Sequence, residues 1–133
     1  MMTFNQISLA RQIDMALEKL GGELKGMVAG TIVLQIREDS VGRFGIRHLP
    51  VDCSDRAPIA AGMTAEQVVE LRQLALEALR HKSGWTHGEI SYDFVLKQGR
   101  VFVSVQFESN YNMANLMFRY SPKNRDRREA SNG

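Results

Sequence analysis

Cysteine is almost missing from this chain. The single thiol, Cys53, excludes an internal disulfide and cannot alone build a thiolate metal site. Long apolar runs are missing as well. Hydrophobic residues make up 44% of the chain, yet no stretch approaches the roughly 20 residues that cross a bilayer. The opening MMTFNQISLARQIDMAL spaces its apolar residues around Arg11 and Asp14, without the charged-then-apolar order of a signal peptide. The expected compartment is therefore the cytoplasm, with no membrane partner. Net charge is also small, at +2. Between Arg119 and Gly133 stand five basic residues (Arg119, Lys123, Arg125, Arg127, Arg128) and two acidic ones. Removing these from the totals of 17 and 15 leaves 12 basic and 13 acidic residues in the rest of the chain. That remainder offers no basic patch for phosphate contacts, and nucleic acid is not an expected partner.

What is present reads as one α+β domain over residues 1–120, followed by a disordered basic tail over residues 121–133. Thr3 and Gln6 have capping-box spacing. Leu9, Ala10, Ile13, Ala16, Leu17 and Leu20 then recur on one helical face, and Gly21-Gly22 is read as the stop. From Thr31 to Arg37 the period becomes two, with Ile32, Leu34 and Ile36 on one side. Glu38 to Gly42 is a turn, and Arg43 to Leu49 returns as the second strand. Residues 50–63, with Pro50 and Pro58, form a long loop. Thr64 and Gln67 repeat the capping-box spacing before a broadly apolar helix running to about Lys82. A second hairpin pairs Glu89–Lys97 with Val101–Glu108 around Gln98-Gly99, and a fifth short strand is expected over Leu116–Tyr120. The order α-β-β-α-β-β implies two helices packed on one face of an antiparallel sheet of four or five strands. The sheet's other face would then carry Thr31, Gln35, Arg37, Arg43, Arg47, Glu89, Asp93, Phe102, Gln106 and Glu108. A one-residue slip would exchange the two faces.

No catalytic or metal-binding pattern emerges. His48, His81 and His87 lack the spacing of paired ligands, so no metal is expected. Asp52-Cys53-Ser54-Asp55-Arg56 is the best place to look for a nucleophile, where Arg56 or His48 would lower the thiol's pKa. No base stands in sequence to orient it, and small polar residues in a loop ordinarily make turns. Gly21, Gly22, Gly26 and Gly30 lack the context of a phosphate loop. Glu89 and Asp93 share a strand face as exposed charges commonly do. Trp85 has the bulk of an anchor between the second helix and the sheet. The chain is thus expected to be no enzyme and to hold no cofactor.

Gly84-Trp85-Thr86, Glu89, Tyr92-Asp93-Phe94, Gly99-Arg100, Val103, Val105 and Phe107 lie within residues 71–107. This stretch resembles the YezG-like family of bacterial toxin-immunity proteins, in which a Trp-Thr step follows a long helix and leads into a strand ending aromatic-acid-aromatic. The resemblance implies a protein that binds a cognate toxin and blocks it. The partner-binding residues singled out on the open face are Arg43, Arg47, Asp93, Phe102 and Gln106. The alternatives are a dimeric secretion or folding chaperone, whose homodimer seam would be the second helix, and a small-ligand-binding domain.

Overall fold

The computed structural model describes residues 7–50, 61–114 and 117. The elements bounded within the described residues are, in order, α1 (Leu9–Leu24), β1 (Ala29–Arg37), β2 (Ser40–His48), α2 (Ala65–Ala78), β3 (His87–Lys97) and β4 (Arg100–Ser109), with a short 3-10 turn over Leu79–His81. The sheet is antiparallel with strand order β2-β1-β3-β4. This is the two-layer α+β fold that the alternation of periods implies.

Several boundaries differ from the sequence reading. Helix α1 begins at Leu9 and is capped by Ser8, whose hydroxyl accepts the Arg11 N–H at 3.1 Å, while Thr3 and Gln6 lie outside the described residues. The helix also runs through Gly21 and Gly22 to Leu24. Glycine in a helix interior costs about 1 kcal/mol relative to alanine, and the helix bears that cost because Leu17 and Leu24, on either side of the pair, are fully buried. In the first hairpin the turn is only Glu38-Asp39, both left-handed at φ 50° and 64°, so β2 begins at Ser40. Such two-residue turns match the twist of antiparallel strands. The pairing then shifts between Leu34 and Ile36, where Gly42 and Arg43 stand opposite the single residue Gln35. The second hairpin closes in the same way at Gln98 and Gly99, with φ 52° and 78°. Of the expected fifth strand only Met117 is described, and it is helical. The tail 121–133 and most of the long loop, Asp52 to Arg56 included, lie outside the described residues.

Helix α2 carries the full capping box: the Thr64 hydroxyl accepts the Gln67 N–H at 3.1 Å, and the Gln67 amide oxygen accepts the Thr64 N–H at 2.8 Å. The core lies between the layers. Ile13, Leu17 and Leu24 of α1 and Leu71 and Ala75 of α2 meet Ile32, Leu34 and Ile36 of β1 and Ile90 and Tyr92 of β3, all fully buried or nearly so. Each large aliphatic side chain removed from water contributes about 1.5–3 kcal/mol. The helices are also joined by charge, since Arg72 donates to Asp14 at 2.8 Å across the α1–α2 contact.

Tyr92 closes the carboxyl end of α2. The Leu79 N–H turns to the Leu76 and Glu77 carbonyls, and the buried Tyr92 hydroxyl donates to the Ala75 carbonyl at 2.9 Å. Burial pushes this phenol well above its ordinary range. The folded state therefore favours the neutral form. Its contribution is complete below about pH 10, the unfolded phenol's range, and is lost as the pH rises further. Tyr92→Phe should cost about 1–2 kcal/mol at neutral pH by leaving a buried carbonyl unpaired. It should also flatten the fall in stability above pH 10. Urea midpoints for both proteins at pH 7 and pH 11 check this, and an equal alkaline fall in the two would remove Tyr92 as its cause.

Candidate functional site

The helices cover one face of the sheet and leave the other bare among the described residues. Side chains alternate strictly across a strand, so the rows of this open face follow from the register. Arg47, Thr31, Asp93 and Ser104 form one row, from β2 across to β4. Gly45, Val33, Ser91 and Gln106 form the next. Beyond it Gln35, Glu89 and Glu108 align, with Arg43 at the bulge opposite Gln35. On the other side Ala29, Val95 and Phe102 align. All five residues singled out from sequence therefore share this face, and all are exposed. They form no single cluster: Arg43 and Arg47 are on the β2 edge, Asp93 is on an inner strand, and Phe102 and Gln106 are on the opposite edge.

The electrostatics of the face are uneven. Arg43 and Arg47 make its β2 side basic, and neither joins an ion pair among the described residues. Glu89 and Glu108 are directly opposed on β3 and β4, an arrangement that destabilises a sheet unless something neutralises it. Ser91 donates to Glu89 at 3.3 Å. Asp93 accepts the Thr31 hydroxyl at 2.6 Å, which fixes it at the centre of the face. Phe102 is 50% exposed and lies 6.0 Å from the Arg100 guanidinium. Glu89 and Asp93 stand four residues apart, about 13 Å along an extended strand. They do not form one acid pair.

A shallow depression of about 330 Å³ lies over Gly45, with Val33 and Gln35 beside it and Arg43 and Arg47 at its two ends. Around the same strand, on the helix side, Met15 and Ala16 of α1 and Val41 and Phe44 of β2 line a second, apolar depression of about 250 Å³. Met15 is 47% exposed there. Sequence reasoning missed this one. The available signal was Gln12, a polar residue three after Leu9 and four before Ala16, inside the apolar arc. Its amide oxygen accepts the Val41 N–H at 2.8 Å and its nitrogen donates to Ile7 at 2.9 Å.

Trp85 is an anchor, as its size suggests. It is 8% exposed, packs at 6.0 Å from Phe107 and lies under the Lys82 ammonium at 4.6 Å. His48 pairs with Glu23 at 2.6 Å. No three His, Cys, Asp or Glu residues come together as metal ligands among the described residues, and no described helix is long and apolar enough to cross a membrane. Comparison with family models, curated proteins and solved structures yields no match.

Proposed function

We propose that this chain is a non-enzymatic cytoplasmic domain that binds another protein and blocks it, as an immunity protein blocks its toxin. The observation that carries the reading is the bare sheet face, with arginines on one side, opposed glutamates on the other and a half-exposed Phe102. Four strands about 4.8 Å apart and about 30 Å long present on the order of 600 Å². That is close to the ~800 Å² each partner buries in a standard interface. Exposed aromatic and arginine side chains are the types that dominate binding energy. The toxin as partner comes from the resemblance in residues 71–107. The chaperone alternative has less support: Val69 and Leu74 are the exposed large apolar residues of α2, and five residues of helix put them about 140° apart. They do not line up as one dimer seam.

The test is a pull-down of tagged protein from its source lysate in low and high salt, with a Phe102→Ala, Gln106→Ala variant in parallel. Wild type should retain one stoichiometric protein in high salt, and the variant should lose it by at least about tenfold with an unchanged melting temperature. Equal retention by both, or no retained protein, would sink the reading.

A further inference from the structure

Edge strands expose a row of backbone donors and acceptors that invite pairing, and β2 is such an edge, bonded only to β1. Gln12 takes the Val41 N–H at its start. From Phe44 to Arg47 no other described element bonds to its outer side. What distinguishes this edge is its flanks. The polar-face depression holds open space over Gly45, where a side chain would meet nothing within 4 Å. The helix-face depression beside Phe44 and Met15 is apolar.

We propose that β2 receives an extended segment of the partner protein as a fifth strand, and that this segment is acidic and apolar by turns. The inference rests on the reading of the chain as a protein-binding domain. Its pattern follows from the strand's own alternation. Residues opposite Arg43 and Arg47 lie four apart and are carboxylates, since like charges opposite one another are disfavoured and unlike ones stabilise. The residue midway between them is aromatic: it lies over Gly45, fills the depression floored by Val33, and stacks between two guanidiniums. The two remaining positions point to the helix side and are apolar, because they meet Phe44, Ile46 and Met15. A second copy of this chain fits poorly. Antiparallel pairing of two β2 strands about Gly45 would set Arg43 against Arg47 twice.

The probe is a synthetic peptide with a Glu-Val-Tyr-Val-Glu core flanked by threonines, titrated against the full chain by fluorescence anisotropy. Saturable binding is expected. Charge reversal by Arg43→Glu with Arg47→Glu should weaken it about tenfold, the scale of two exposed ion pairs, and shift preference to the peptide with lysine for glutamate. Gly45→Tyr, which fills the depression from within, should weaken it as well. N-methylation of the peptide's alternate amides should abolish binding in one parity and spare it in the other. Both protein variants are checked by their melting temperatures. Absence of saturable binding, or indifference to N-methylation or to charge reversal, overturns the proposal. So does a dimer in sedimentation that Gly45→Tyr dissociates, which would assign the edge to a second copy. If the peptide fails while the lysate partner is still captured through Phe102, the edge proposal falls and the protein-binding reading stands.

Discussion

Gly88→Ala should destabilise the protein by about 3 kcal/mol, the upper end of overpacking in a filled interior. Gly88 sits at the start of β3, opposite Ser109. A methyl group there would lie 2.6 Å from the Trp85 ring and still closer to the Glu108 carbonyl oxygen. The first neighbour is a buried ring held against Phe107, and the second is backbone of the adjacent strand. Neither yields cheaply. Relief requires β3 and β4 to part at this end and the indole to swing outward. Denaturant unfolding gives the stability, and the emission of the protein's single tryptophan gives the geometry. A red-shifted native spectrum in the variant is expected. An unchanged spectrum with unchanged stability would mean that the strands separate without cost.

Trp85→Ala should cost about 3–5 kcal/mol, the range for deleting a buried aromatic side chain. The ring covers Gly88, packs on Phe107 and carries the Lys82 ammonium over its face. Its loss opens the end of the core where α2 hands over to β3. Combining the two substitutions separates the two clashes. In the Trp85→Ala background the ring is gone but the Glu108 carbonyl remains, so Gly88→Ala should still cost more than half of its single-variant value. Full rescue would place the whole conflict on the indole and none on the neighbouring strand.

These two positions also mark where a sequence stops being readable. Alternation of apolar and polar residues set the parity of all four strands, because the core side of a sheet repeats every second residue. The five surface residues named from that parity share one face for the same reason. Local signals fared unevenly. Thr64 and Gln67 form their capping box, whereas α1 begins at Leu9 with Ser8 as its cap, downstream of the Thr3–Gln6 spacing. Gly21-Gly22 has the propensity of a stop, but propensity is overridden by the burial of Leu24 beyond the pair. Glu38 and Asp39 take left-handed conformations that belong to glycine or asparagine more readily, so composition alone suggests a longer turn than the two residues that form it. Gln12 with Val41, Tyr92 with Ala75 and Trp85 over Gly88 depend on what stands across the fold. None leaves a mark in its own segment except a polar residue in an apolar arc.

Each hairpin is covered by the helix before it, α1 against β2 and α2 against β4, and the halves meet chiefly where β1 lies beside β3 and the two helices touch. Each half is a helix on a hairpin, too small to hide its own apolar rows. Ile32, Leu34 and Ile36 need Ile90, Tyr92 and Phe94 beside them. A chain severed between β2 and α2 would therefore yield two fragments unstructured alone that complement one another when mixed, and assembly of the intact chain would be timed by the meeting of its halves.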